Sequence, residues 1–175
     1  MRITHVRKAK VEDASAIAFV HVRSWQVAYR GHMPDEFLDG LDVEKRTHMW
    51  RELTGDPDKI ILVAEDREGT IVGFSALGPS RDADANPNTA EVAAIYVHPE
   101  KWKKGIGRAL LSASLDQVRK CKFDQITLWV LEGNQRARSF YESFGFVQDG
   151  AMRDDDHWKN FAVHEVRYRL NLQTI

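Results

Sequence analysis

Cysteine is nearly missing: Cys121 is the only one among 175 residues. That excludes an internal disulfide framework and the paired-cysteine spacings of structural zinc sites. An excess of charge of one sign is missing too, since 25 Lys and Arg stand against 26 Asp and Glu, a formal net charge of −1. This excludes a polybasic protein whose main work is coating nucleic acid, while leaving room for a local basic patch. No apolar run approaches the roughly 20 residues of a membrane-spanning helix. Residues 1–10 (MRITHVRKAK) lack the apolar stretch of a signal peptide, so a cytoplasmic location and no membrane partner are expected. The seven histidines show no ligand spacing, and no metal is expected. Repeats, low-complexity tracts and flexible linkers are absent, so residues 1–175 are expected to form a single domain. A chain of this length buries about 70% of its unfolded surface, enough for a core without covalent staples.

What is present is a run of alternating patterns. Residues 3–7 alternate as a strand. Residues 11–29 place Ala14, Ile17, Ala18, His21, Val22 and Trp25 at helical spacing. Residues 34–53 read as one or two short helices, with Phe37, Leu38, Leu41, Met49 and Trp50 on the apolar side and Gly55-Asp56-Pro57 as the break. Two β-rich runs, 60–64 and 71–77, flank a hairpin-like turn, and a surface loop is expected over 78–88. A third run at 91–97 precedes a helix over 106–120, a strand over 126–131 and a helix over 134–144 ended by Gly145. Strands over 146–152 and 163–170 close the chain. Hairpins give way to βαβ units, which predicts a mixed sheet with helices on its faces.

The densest chemistry lies where the 91–97 strand passes, through Lys101, Trp102, Lys103, Lys104, Gly105, Ile106, Gly107 and Arg108, into a helix. Glycines let backbone amides approach a ligand, and a helix start offers unpaired N–H groups with a partial positive charge. With the basic side chains this makes an anion cradle suited to phosphate or pyrophosphate. A Walker A string is absent, and the dinucleotide fingerprint fails because Leu110 stands where its third glycine belongs. A plain turn with solvated lysines remains the bland alternative.

Val97-His98-Pro99 followed by Trp102-Lys103-Lys104-Gly105-Ile106-Gly107-Arg108-Ala109-Leu110 resembles the coenzyme A pyrophosphate loop of the GCN5-related N-acetyltransferases (GNAT), Q/R-x-x-G-x-G/A, with Trp102 where Gln or Arg is commonest. Downstream, Asn134 to Phe146 (NQRARSFYESFGF) resembles that family's N-x-x-A-x-x-F-Y-x-x-x-G-F, every fixed position matched. The resemblance implies an α/β (α+β mixed) fold. Its core would be a mixed, mostly antiparallel twisted sheet of about seven strands, flanked by about four helices and splayed at its central strands. It implies acetyl-CoA as acyl donor, held by Ile95, Tyr96, Val97, Lys103, Lys104, Gly105, Ile106, Gly107, Arg108 and Asn134.

The implied reaction is direct acetyl transfer to a primary amine of a small molecule or peptide. Tyr141, protonated at neutral pH, is the expected general acid for the leaving thiolate. Glu91, at the start of the central strand, is the expected base acting through water, with burial raising its pKa; pairing with a nearby Arg or Lys is the alternative. An N–H near Ile95 or Tyr96 is expected to polarise the thioester carbonyl. Cys121 is expected to be a small buried residue far from the glycine turn, which disfavours an acyl-cysteine route. Trp25 and Tyr29, with Trp50, are candidates for the acceptor pocket or for the core. The acids Asp35, Glu36, Asp39, Asp42 and Glu44, and the run Asp154-Asp155-Asp156, would steer a cationic amine if they faced it. A second copy of the chain is a further expected partner, since dimers are common among similar proteins. A catalytically inactive CoA-binding regulatory module on the same fold is the competing function.

Overall fold

The computed structural model describes residues 5–155, with the backbone alone for Asp155, and 161–172. Ile3 of the first predicted strand, together with Asp156 and His157, lies outside the described residues. The order is β1 (His5–Lys8), a 3-10 turn (Val11–Asp13), α1 (Ala14–Ala28), α2 (Asp35–Asp39), α3 (Val43–Gly55), β2 (Ile60–Glu65), β3 (Ile71–Pro79) and β4 (Thr89–Val97). A second 3-10 turn (Pro99–Lys101), α4 (Ile106–Lys120), β5 (Gln125–Leu131), α5 (Gln135–Glu142), β6 (Val147–Asp155) and β7 (Val163–Asn171) follow. One seven-stranded sheet runs β1-β2-β3-β4-β5-β7-β6. Only β4 and β5 pair in parallel, so the sheet is mixed and mostly antiparallel, as expected. Among the described residues no helix is long and apolar enough to cross a membrane.

Local chemistry sets the boundaries. The predicted 11–29 helix opens as a 3-10 turn because Asp13 accepts from the Lys10 N–H (2.7 Å) and pairs with Arg7 (2.7 Å), so regular helix begins at Ala14. The 34–53 segment divides at Gly40, and Asp42 caps α3 by accepting from the Glu44 and Lys45 amides. α5 stops at Glu142, two residues short of the prediction. Gly145 takes φ +89°, while its N–H reaches Glu142 O (2.9 Å) and that of Phe146 reaches Tyr141 O (3.3 Å). β3 continues through Gly78 to Pro79, so the loop spans 80–88. Cys121, at the C-terminal cap of α4, is exposed rather than buried, well away from the glycine turn.

Alternation along β3 and β4 gives each face its own helix. Phe74, Ala76, Ala94 and Tyr96 pack toward α1, whose Ala14, Ile17 and Ala18 are fully buried. On the other face Leu77, Val92 and Ile95 pack with Leu111, Leu115 and Val118 of α4. Burying one such aliphatic side chain contributes about 1.5–3 kcal/mol.

The feature that matters for function is a separation in mid-sheet. β4 and β5 pair only from Thr89↔Gln125 to Val92↔Leu128. Leu77 then faces Val92 while Ala76 faces Ala94, which leaves Ala93 as an extra residue, a β-bulge that bends β4. Beyond it β4 follows β3, and β5 follows β7 as far as Leu131↔Glu165. The central strands are splayed.

His21 sits beneath this separation, 5% exposed and stacked on Tyr96 at 5.4 Å. Its Nδ1 accepts from Trp50 Nε1 (3.0 Å), and burial pushes its pKa down to about 3. Between about pH 6.5 and 3 the unfolded chain therefore binds a proton that the folded chain refuses, and stability declines as pH falls through that window. The expected loss is about 1.4 kcal/mol per pH unit from this ring alone. Urea unfolding of the wild type and His21→Gln, which keeps an acceptor for Trp50, at several pH values checks this. Identical pH slopes would show that the ring is not held neutral.

Candidate active site

A cleft of about 1440 Å³ occupies the separation and is walled by α1, the start of α4, α5 and the β6–β7 pair. Its floor is the backbone of β4. The His98 N–H bonds to Val72 O (2.8 Å), which sets the alternation: the polar groups of Tyr96 face β3, and those of Ile95 and Val97 face the cleft. Val97 O accepts from Trp102 Nε1 (2.7 Å) and Ser24 Oγ (3.1 Å). The N–H groups of Ile95 and Val97 have no strand opposite them, so they are presented to a ligand. The Tyr96 amide is engaged by β3, and the Ile95 amide is the one available.

The anion cradle follows at the end of β4. Lys103 and Gly105 both take left-handed backbone, at φ 61° and 82°, and α4 begins directly after. The first helical bond in this turn is Ala109 N–H to Gly105 O (3.0 Å), and no side chain caps the helix, so the Ile106, Gly107 and Arg108 amides point outward unpaired. A Cβ at Gly107 would meet the Phe140 ring at 3.5 Å, an ordinary contact, whereas Gly105 is required for its φ. Lys103 and Arg108 line the cleft as expected. Lys104 does not; its ammonium donates to Glu100 O (3.1 Å) outside the wall. Lys101 is tied to Asp66 (3.3 Å). In place of Lys104 the structure brings in Arg136 of α5, whose guanidinium lies 3.9 Å from the Trp102 ring centre. The aromatic residue at the Gln/Arg position of the motif was the signal for this contact.

From the opposite wall, Asn134 caps α5 by accepting from the Ala137 N–H (3.2 Å), and its amide group remains for a ligand. Tyr141 is 9% exposed on the cleft wall, edge-on to Phe140 and Phe146, and its hydroxyl has no hydrogen bond among the described residues. Burial, then the neighbouring Tyr96, holds its pKa above the usual phenol value, so it is protonated at neutral pH. Phe140, packed against the core, also lines the cleft beside it.

Glu91 takes the alternative given for it, a pairing with an arginine. It is 3% exposed and accepts from the Arg81 amide (3.1 Å), Nε (3.0 Å) and Nη2 (2.7 Å). Burial pushes its pKa up, but the Arg81 contacts outweigh this and hold it below the usual carboxylate value. The pKa rise predicted from burial is thus overturned by a partner that arrives from the loop over 80–88. Arg81 is in turn positioned by its neighbour Asp82, which accepts from Trp129 Nε1 (2.9 Å) and pairs with Arg167 (3.1 Å).

Trp25 and Tyr29 do line the cleft, on its α1 face, and the Tyr29 and Tyr96 hydroxyls lie 2.8 Å apart. Burial raises the pKa of both phenols. Trp50, 2% exposed, belongs to the core. The acids between 35 and 44 do not reach the cleft: Asp35 and Asp39 pair with Arg30, and Asp42 caps α3. Asp154 reaches it, but bound to His164 (2.5 Å). Sequence reasoning missed Arg46, Arg153 and Glu165, which also line the cleft; nothing in their spacing marks them. No metal-binding group of His, Cys, Asp and Glu occurs among the described residues.

A profile of the acetyltransferase (GNAT) family matches residues 20–146. The chain is 34% identical over 141 residues to the uncharacterized N-acetyltransferase YuaI of Bacillus subtilis, covering 79% of this chain and 78% of that one. It is 30% identical over 149 residues to the L-amino acid N-acyltransferase MnaT of Escherichia coli, covering 84% and 81%. Its fold is similar to that of the PaiA N-acetyltransferase of Thermoplasma acidophilum, solved in complex with coenzyme A, at a TM-score of 0.74 and 22% identity over 97% of this chain and 100% of that one.

Gly105 separates backbone geometry from side-chain charge at the cradle. Gly105→Val, forced into a conformation that β-branched residues avoid, is expected to weaken coenzyme A binding at least tenfold by calorimetry. Gly105→Asn, which tolerates left-handed backbone, is expected to retain most of it. Undiminished affinity in the valine variant would remove the turn from the site.

Proposed function

The chain belongs to the acetyltransferase (GNAT) family, and from that premise we propose that residues 1–175 form one cytoplasmic N-acetyltransferase domain, moving the acetyl group of acetyl-CoA directly to a primary amine of a small molecule or peptide. The observation that carries this reading is the juxtaposition in one cleft of three features. They are the two unpaired β4 amides, the uncapped α4 start and the buried, protonated Tyr141. The name of the E. coli relative favours a small acceptor over a protein.

The residues present suit coenzyme A. Ile106, Gly107 and Arg108 amides, with Lys103, Arg108 and Arg136, would hold the pyrophosphate, and Asn134 with the Ile95 and Val97 backbone would hold the pantetheine arm as an added strand. When bound, acetyl-CoA supplies an activated thioester. The Ile95 N–H is placed to donate to an oxygen in the cleft, where a preorganised donor typically contributes a factor of about 10²–10³. Tyr141 keeps its proton at neutral pH, donates it toward the sulfur as the C–S bond breaks, and is reprotonated from solvent. Glu91, ionised and held by Arg81, orients a water through which the amine's proton leaves to solvent.

Free-thiol release from acetyl-CoA across a panel of amines tests the proposal. Coenzyme A binding with no amine-dependent release would favour the inactive regulatory module. Tyr141→Phe is expected to lower kcat by about 10²-fold while leaving coenzyme A affinity within twofold; an unchanged kcat would take Tyr141 out of the reaction. In Glu91→Gln the rate is expected to fall while the midpoint of its rise with pH stays put, since that rise belongs to the acceptor amine. A midpoint that moves would assign the titration to Glu91.

A further inference from the structure

We propose that Glu165 seats the acceptor's ammonium group, so that the amine enters the cleft as its cation and loses its proton only once bound. The inference rests on the acetyltransferase reading above and deepens it.

Strand register sets where Glu165 points. Along β7, Val163 packs with Trp25 and Leu131, and Glu165, two residues on, faces the same side of the sheet. It stands opposite Leu131 of β5 and Arg153 of β6, and it lines the cleft. Asp82, Glu91 and Asp154 line the cleft too, but each is otherwise placed. Asp82 accepts from Trp129 at one oxygen and pairs with Arg167 at the other. Glu91 takes three hydrogen bonds from Arg81. Asp154 is exposed and bound to His164. The Glu165 side chain is only 15% exposed, and Arg153 Nε engages its Oε2 (2.7 Å). Its Oε1 has no partner among the described residues. Arg153 has a second hold, its guanidinium lying 4.3 Å from the Trp129 ring centre.

The Tyr29 and Tyr96 hydroxyls lie 2.8 Å apart on the same face. Burial foremost, with the charge of Glu165 adding to it, raises the pKa of both phenols. Only one proton lies between the two phenol oxygens, so lone pairs remain to accept a further donor. A partly buried carboxylate oxygen without a donor is costly, and a charge-assisted N–H···O bond answers it. An ammonium group has three N–H donors and no acceptor. One can reach Glu165 Oε1 and another the phenol pair. A primary amine with a pKa near about 10.4 is overwhelmingly cationic at neutral pH, so such a seat takes the abundant form. The N–H bond that then breaks leaves its electron pair on nitrogen for attack on the thioester carbon, and its proton goes to the water beside Glu91.

The test uses the whole purified protein with acetyl-CoA and four acceptors: leucine, isoamylamine, benzylamine and spermidine. Glu165→Gln is expected to raise KM by about 10–100-fold for each acceptor turned over, with kcat within about threefold and coenzyme A affinity within about twofold by calorimetry. Arg153→Gln, which frees the second oxygen, is expected to leave KM unchanged or lower it. If the pair only braced β6 against β7, the two variants would behave alike. Equal KM changes in both, or an unmoved KM in Glu165→Gln, would overturn the inference and leave the acetyltransferase reading standing. A second readout needs no variant. Wild-type KM on total amine is expected to stay flat between about pH 7 and 8.5, whereas uptake of the neutral amine would lower it roughly tenfold per pH unit and overturn the inference. The groups that face Glu165 are Arg153 of β6, Arg81 of the 80–88 loop, Tyr29 of α1 and Tyr96 of β4, with Arg167 two residues along β7 and Arg46 of α3 behind the Trp25 ring. The arginines stay charged and the phenols protonated across that range, so none of them imitates the effect. Release of no thiol with these four or any other amine would defeat the acetyltransferase reading, and this inference with it.

Discussion

Four rungs of parallel pairing between β4 and β5 are the constraint on which the site depends. Had the ladder continued, the amides of Ile95 and Val97 would be consumed by β5 and the sheet would be closed. The bulge at Ala93 ends it, and β5 is drawn off by seven consecutive pairs with β7. The cost of leaving strong donors unpaired in a partly buried place is what makes them a receptor for an extended ligand. One local irregularity thus creates the floor of the cleft, its width and its hydrogen-bonding direction.

The cleft's walls are fixed to that floor by side chains from either side. Trp102 bonds the last carbonyl of β4, Ser24 of α1 shares the same oxygen, and Arg136 of α5 stacks on Trp102. The glycine turn, α1 and α5 therefore converge on Val97. Tyr141 and the start of α4 line one part of the cleft, and Trp25, Tyr29, Tyr96 and Arg46 line another.

Much of this was legible in the sequence where chemistry is local. The α4 boundaries follow from the glycine turn and the apolar stripe, α5 from its asparagine cap and Gly145, and several residues lining the cleft lie in two motifs with fixed spacing. What was not legible depends on partners distant along the chain. Glu91 is one turn of reasoning away from a raised pKa until Arg81, ten residues earlier, reaches back to it. Lys104 and Arg136 exchange places because the turn aims one outward while α5 brings the other in. Arg46 reads as one of several charges on an amphipathic helix, since its place in the cleft is a property of three dimensions. The helix over 11–29 likewise lost its first turn to Arg7, which also binds Glu65 on the neighbouring strand.

The clamp on the loop over 80–88 has a consequence for the order in which the molecule assembles. Arg167 of β7 holds Asp82 and Asp84 across sequence separations of 85 and 83 residues. Loop closure over such spans is paid late in folding, after the local hairpins and helices have formed. β7 also fills the place between β5 and β6, so the strands that precede it leave one edge of β5 open. The glycine turn and α5 are built from segments close together in the chain, whereas the loop that carries Arg81 to Glu91 is anchored only once the last strand arrives.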